Sequence, residues 1–328
     1  MSAARSAGKA DIRVGTSGWS YPSGKGTWNG IFYPAQPSRR PRGTPKFDEL
    51  AFYAEHFNTV EVNSSFYRVP AVTAVKKWAE RTPADFEFSL KLYQKFTHPD
   101  MFAKATGGDP SRLGSTDVDE FRAAIAPLAE ADKLGALLAQ FPASFKNEPE
   151  SRAYLEWLLK SFREYPVAVE LRHRSWSEQP AETAALLSAF EAALAQIDEP
   201  KFRTSIRQDL LPNVKSFYYL RLHGRNAAQW WKHDSSEDRY NYLYSAGELE
   251  PFAEAAQVAS REVKKAYLYA NNHFSAKSVA NAAILKTQLG QKLEGEYPAE
   301  FVEEYPDLKG LVKLLPEQPL LTPSRKPS

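Results

Sequence analysis

There is no cysteine among the 328 residues, so disulfides, thiol nucleophiles and zinc–thiolate sites are excluded at once. The same absence fits a reducing compartment, and a cytoplasmic location is the expectation. Net charge is nearly absent as well. Lys and Arg number 42 against 40 Asp and Glu, a formal +2, so no global field favours nucleic acid or an anionic membrane. Apolar runs stay far below the roughly 18 residues that mark a membrane span, and residues 1–11 lack the continuous apolar centre of a secretory signal. Two motifs are also missing. No Gly-rich phosphate turn leads from the first strand straight into a helix, which counts against a doubly wound dinucleotide fold. No H-E-x-x-H or similarly tight ligand spacing marks a metalloenzyme.

What is present is the material of a large core. Hydrophobic residues make up 43% and charged residues 25% of the chain, a globular profile whose length suits one α/β barrel or two ordinary domains. With no internal repeat and no linker, one barrel is the simpler reading. Short β-rich runs lie at 12–16, 59–63, 86–91, 134–140, 167–170, 194–198, 216–222 and 266–270. Helical spacing of apolar residues separates most of them. These alternating units predict a (β/α)₈ TIM-type barrel over 12–302 with long insertions in some βα loops, preceded by a flexible leader (1–11) and followed by a tail rich in Pro and charge (303–328). Further expectations are a capping box at Thr116-x-x-Asp119 and a last helix capped by Ser275.

The strand ends attract most interest. The run 167–170 passes straight from Val-Ala-Val into Glu170, followed by Arg172, His173 and Trp176. Charged residues are rarely buried without partners, so a strand ending in them delivers them somewhere. In a barrel the C-terminal ends share one cavity. Collected there would be Glu61, Asn63, Lys91, Gln140, Glu170, Arg172, Asp198, Arg221, His223, Asn271 and Asn272.

Several uses of this set compete. Arg172 and Arg221 could grip a phosphate or carboxylate in a fork with Lys91 as a third cation. Glu61 or Glu170 would then act as base and His223 as acid/base partner, with Asp198 a further catalytic candidate. Alternatively, Glu170, Asp198 and His223 could hold a divalent metal for sugar isomerisation or sugar-phosphate cleavage, although the two arginines would oppose the cation. No cofactor is firmly indicated. A structural ion-pair network closing the barrel is the bland alternative. Among aromatics, Trp19, Tyr21, Tyr67 and Trp176 could stack on a sugar or base, though any one of them is more often packing. His98 and His233 read as structural or solvated, and Gly15 to Gly18 as a weak anion nest. The expected partner is a small anionic or polyol ligand. The charge balance argues against nucleic acid, and the aromatic loops leave a protein partner as a third reading. Nothing in the pattern specifies an oligomeric state.

A set of motifs then stands in a familiar order: Gly15-Thr16-Ser17-Gly18-Trp19, Phe32-Tyr33-Pro34, Glu61-Val62-Asn63-Ser64-Ser65-Phe66-Tyr67-Arg68, Phe88-Ser89-Leu90-Lys91, Thr97-His98, Gln140-Phe141-Pro142, Glu170-Leu171-Arg172-His173-Arg174-Ser175-Trp176, Arg221-Leu222-His223-Gly224 and Asn271-Asn272. In them the chain resembles the YecE-like family, known as domain of unknown function 72. The resemblance implies a TIM-type barrel and a cytoplasmic protein, and leaves the reaction open. Arg174 falls at a variable position of its motif, and the tail beyond Gly290 is not covered.

Overall fold

The computed structural model describes residues 10–37, 43, 45–230 and 236–316. Among them one all-parallel sheet has nine strands: β1 (Asp11–Ser17), β2 (Thr59–Val62), β3 (Glu87–Lys91), β4 (Leu134–Gln140), β5 (Val167–Glu170), β6 (Ala193–Leu194), β7 (Gln196–Asp198), β8 (Phe217–Leu222) and β9 (Lys265–Ala270). The order runs β6-β5-β4-β3-β2-β1-β9-β8-β7. The two ends of this series are chain neighbours, separated by Ala195 alone, whose N–H bonds Val169 O at 2.9 Å. β6 and β7 thus act as one broken sixth strand, and the sheet nearly closes into the expected eight-position barrel.

The strands are apolar on both faces because both are covered, as parallel sheets require. The outer layer packs Val60, Leu90, Leu137, Val169, Leu220 and Leu268 against helices. The lumen holds a separate cluster that includes Ala136, Leu138, Ala168, Tyr219, Tyr267 and Tyr269. Each tyrosine hydroxyl has to find a polar partner there. At the lower end Tyr267 Oη donates to Glu87 Oε2 at 2.5 Å, and Lys265 and Arg13 pair with the same carboxylate at 2.6 and 3.4 Å. One layer up, Tyr269 Oη meets Thr59 Oγ1 at 2.7 Å and Ser89 Oγ at 2.9 Å. The lumen leaves little spare room. A Cβ on Gly15 would meet Thr59 O at 2.3 Å.

Local chemistry explains the helices, with two corrections. The helix Ala246–Ala259 has a full capping box between Ser245 and Glu248. The helix Ser115–Glu130 is capped two residues earlier than expected, with Asp117 rather than Asp119 accepting from Gly114 N at 3.0 Å. Ser275 is no N-cap. It sits at φ 53°, and the helix Lys277–Gln288 starts after Ala276 without a side-chain cap. The segment between β3 and the helix Ser115–Glu130 holds the short helices Gln94–Thr97 and Pro99–Thr106. Past residue 303, Tyr305 and Leu308 are buried, and Lys313–Leu314 pairs with Glu296–Tyr297.

Candidate active site

Alternation along the strands decides which side chains reach the lumen. Parity from Tyr219 delivers Arg221 on β8, parity from Ala168 delivers Glu170 on β5, and parity from Ser89 delivers Lys91 on β3. They converge with Glu61 of β2 at the upper end of the lumen. Arg221 donates from Nε and Nη2 to the two oxygens of Glu61, at 2.9 and 2.7 Å. Its Nη1 reaches Glu170 Oε2 and, at 3.0 Å, Gln140 Oε1. Glu61 also accepts from Ser17 Oγ at 2.6 Å and Tyr219 Oη at 2.7 Å. Arg172 closes over the top, with Nε and Nη2 each 2.7 Å from Glu170 Oε1.

His223 sits beside this network. Its Nδ1 accepts from Asn271 Nδ2 at 2.8 Å, and Asn63 Nδ2 in turn donates to Asn271 Oδ1 at 3.4 Å. Nε2 faces Glu170 Oε2, Arg172 Nη2 and Arg221 Nη1, each at 3.3 Å. Burial depresses the imidazole to about 3 despite the neighbouring carboxylate. For Glu170, burial opposes ionisation, but the Arg221 and Arg172 guanidiniums hold its carboxyl well below the usual range.

Exposure divides the expected residues into two groups. Glu61, Glu170, Arg221 and His223 are all 1% exposed or less. They form a floor whose donors and acceptors serve one another. Glu61 and Glu170, expected as bases, are held in ion pairs, and Arg221 has no fork left for an anion. The half-buried groups above the floor are Lys91, Arg172, Gln140 and Asn63. Lys91 is distinctive. Its Nζ lies 4.0 Å from the centroid of the Phe66 ring, with no hydrogen bond or ion pair among the described residues.

Other expected members are elsewhere. Asp198 is registered with Leu222, an outward residue of β8, so it points away from the lumen. It is gripped there by Arg225 at 2.7 and 3.1 Å and by Tyr244 Oη at 2.7 Å, at the edge of an outer cavity of about 450 Å³ that includes Phe202, Arg207 and Phe252. The triad Glu170, Asp198 and His223 therefore does not assemble, and no group of three metal-ligating side chains occurs among the described residues. Trp19 packs edge-on to Trp78 and Phe88. Trp176 stacks on Phe145 and donates to Phe145 O at 2.9 Å. Neither indole faces the mouth. His173 is tied to Ser175 Oγ at 2.9 Å. Asn272 turns toward the last barrel helix and donates to Asn281 Oδ1 and Tyr242 O, both at 2.7 Å. Tyr67, by contrast, is 67% exposed but lies edge-on to the Phe66 ring that faces Lys91, with centroids 5.1 Å apart. Gly15, Thr16 and Ser17 are strand rather than nest, and His233 lies outside the described residues.

Sequence comparison adds one decisive match. The family described as "Protein of unknown function DUF72" matches residues 13–303. The chain belongs to the DUF72 family. It is 29% identical over 293 residues to the UPF0759 protein YunF of Bacillus subtilis (strain 168), covering 87% of this chain and 96% of that one. It is 32% identical over 126 residues to the UPF0759 protein YecE of Escherichia coli (strain K12), covering 38% and 41%. Among solved structures, a DUF72 family protein from Thermotoga maritima MSB8 matches with a TM-score of 0.70 at 33% identity, over 86% of this chain and 100% of that one. One from Enterococcus faecalis V583 matches with a TM-score of 0.72 at 25% identity, over 86% and 97%. None of these names states a reaction. Among the described residues, no helix is long and apolar enough to cross a membrane.

In this DUF72 chain the sequence reading missed three contributors to the mouth. Glu199 is 5% exposed and faces Arg172 Nη1 at 3.4 Å. Burial raises its carboxyl above the ordinary value against the pull of Arg172. The signal was available in principle, because an outward Asp198 makes the next residue inward. His98, read as structural or solvated, lies edge-on to the Phe66 ring at 5.0 Å, and burial with the nearby Lys91 charge depresses it to about 3. Tyr240 tilts over His273 with ring centroids 5.0 Å apart and acts electrostatically on Arg172. Loop residues of this kind carry no strand parity to announce them.

Proposed function

We propose that this DUF72 chain is a cytoplasmic enzyme that performs acid–base chemistry on a small polar ligand, anionic or sugar-like, at the C-terminal mouth of its barrel. The observation that carries this reading is the Lys91 ammonium, which has no hydrogen bond or ion pair among the described residues and lies above a floor of paired charges. A half-buried charge with no ion-pair partner among the described residues is costly to maintain, and an apolar residue would serve packing better. Perturbed groups of this kind concentrate at functional sites. Burial, reinforced by the Arg221 guanidinium, brings the amine down to about 7, near the optimum for proton transfer at neutral pH.

In this reading Glu61, Arg221, Glu170 and His223 are positioning residues. They fix Arg172, whose side chain is 14% exposed, so that its outer edge faces the ligand. Gln140 and Asn63 present amide groups to hydroxyls or carboxylate oxygens. Lys91 exchanges the proton. A thermal-shift survey with inorganic phosphate, glycerol 3-phosphate, glucose 6-phosphate, tartrate and xylose tests the reading. At least one of these is expected to raise the melting temperature saturably, and Lys91→Gln and Asn63→Ala are expected to abolish that rise with an unchanged circular dichroism spectrum. A response that both variants retain, or none from any compound, counts against the mouth as a ligand site.

A further inference from the structure

A free amine does more than carry a proton, because its lone pair is a nucleophile toward carbonyl carbon. Three features of Lys91 bear on this. It ends β3, so the strand fixes the root of the side chain while its tip stays at the partly open mouth. The Phe66 face lies 4.0 Å from Nζ and supplies only a weak hold, leaving the nitrogen without an acceptor among the described residues. The charges around it do not compensate it either. Glu61 and Glu170 face it from β2 and β5 but are engaged by Arg221 and Arg172, while Arg221 of β8 and Arg172 beyond β5 repel it, and His98, just past the helix Gln94–Thr97, is uncharged at neutral pH.

We propose that Lys91 forms an imine with a small polyhydroxy or carboxylate-bearing aldehyde or ketone. The amine nitrogen bonds to the carbonyl carbon as the C=O π pair moves to oxygen. One N–H proton moves to that oxygen, giving the carbinolamine. The C–O bond then breaks, the second N–H proton leaves with the departing hydroxide as water, and the C=N bond forms. Atoms balance with water as the sole by-product, no oxidant or reductant is needed, and hydrolysis by the reverse path releases the ligand. Arg172, Gln140 and Asn63 would hold the hydroxyl or carboxylate groups of the carbonyl compound. This inference rests on the mouth being the active site.

The test is reductive trapping. The full chain is treated at pH 7 with sodium cyanoborohydride and, separately, glyceraldehyde, dihydroxyacetone and pyruvate, then mapped by peptide mass spectrometry. The exposed Lys104 and Lys309 are the internal standards. Lys91 is expected to carry the reduced adduct at least ~10-fold faster than the standards with one or more compounds, because far more of it is neutral at pH 7. Lys91→Arg should remove that adduct and leave the standards unchanged. No preference for Lys91 with any of the three overturns the inference. Trace acetylation with acetic anhydride across pH 5–10 separates the two possible failures. A Lys91 that titrates near 7 without trapping sinks the imine and spares the acid–base reading. A Lys91 that acetylates no faster than the standards sinks both.

Discussion

Arg221 and Glu61, 160 residues apart in the chain, meet as a two-pronged pair in the upper lumen, Nε to Oε2 at 2.9 Å and Nη2 to Oε1 at 2.7 Å. Two further donors of the same guanidinium go to Glu170 and Gln140. The pair thus links β2 and β8 across the barrel and fixes the carboxylate that in turn aims Arg172. Such pairs are poor sources of net stability, since desolvation cancels much of their attraction, yet they are costly to break from one side.

The asymmetry is measurable. Glu61→Gln leaves the Arg221 charge buried with half its support, and about 3–5 kcal/mol should be lost in urea denaturation at pH 7. Replacing both members, as Glu61→Gln with Arg221→Met, should cost less than the sum of the two single losses. Additive losses would mean that the two side chains do not act as a pair.

Acid should unfold this protein early. His223 and His98 are depressed to about 3 and His273 to about 4, each chiefly by burial. A depressed histidine binds its proton in the unfolded chain first, so stability falls as pH drops below about 6.5 and continues falling toward the folded value. Glu170, depressed by Arg221 and Arg172 despite burial, adds a loss in the same direction, beginning only below its unfolded value. Glu199, raised by burial, works the opposite way above its unfolded value, one group against several, since burial lowers His56 and His173 as well. Urea midpoints taken at pH 7, 6 and 5 should therefore decline before ordinary carboxylates titrate. His223→Gln should flatten the decline by about 1.4 kcal/mol per pH unit, the slope of one proton. An unchanged slope would contradict a buried neutral His223.

All eight strand positions were legible in the chain, because each is a short β-rich run ending in polar residues. The convergence of Glu61, Lys91, Gln140, Glu170 and Arg221 was legible too, since parity and barrel closure suffice to bring them together. What failed was choosing a face where both faces are buried. Gln196-Ile197-Asp198-Glu199 has no polar alternation to show which acid faces inward, and a one-residue choice of phase exchanges Asp198 for Glu199. Trp19 and Trp176 failed for a related reason. An indole packed against Trp78 or Phe145 has the same local sequence signature as one that stacks on a ligand. The burial of Glu170 and Glu61 beneath Arg172 was invisible as well, because pairing across the lumen depends on distances that no single strand encodes.

Lys91→Met should stabilise the protein. The wild-type ammonium is held down to about 7 by burial and by Arg221, so folding at neutral pH works against the proton that the unfolded chain retains up to its ordinary value near 10.5. For a lysine depressed in this way, stability rises with pH from about 7 toward 10.5. Methionine has a similar length and no charge, and it could rest on Phe66 through its sulfur. Its gain at pH 7 should be roughly 1–3 kcal/mol, reduced from the full linkage value because the site is partly open, and the variant should lose the alkaline rise of the wild type. A destabilised Lys91→Met would show that the amine is a structural contact.

Adjacent acids should respond to neutralisation with opposite signs. Asp198 points outward and accepts from Arg225 Nε and Nη2 and from Tyr244 Oη. Asp198→Asn weakens two of these bonds and leaves Arg225, itself paired with Glu248 at 3.2 Å, with a poorer partner. A loss of about 1.5–3 kcal/mol follows, typical for hydrogen bonds to a charged group. Glu199 points toward Arg172 with Oε2 lacking any hydrogen bond, and burial outweighs the guanidinium in setting its carboxyl. A carboxyl raised on folding holds its proton more tightly in the native state, so its contribution falls as pH rises past its unfolded value near 4.5. Glu199→Gln removes that penalty and should raise the urea midpoint at pH 7, with no effect near pH 4, where the acid is already protonated. Asp198→Asn should lower the midpoint at pH 7. Two changes of the same sign at pH 7 would mean that the chain does not switch faces between these residues, and would return Asp198 to the mouth of the barrel.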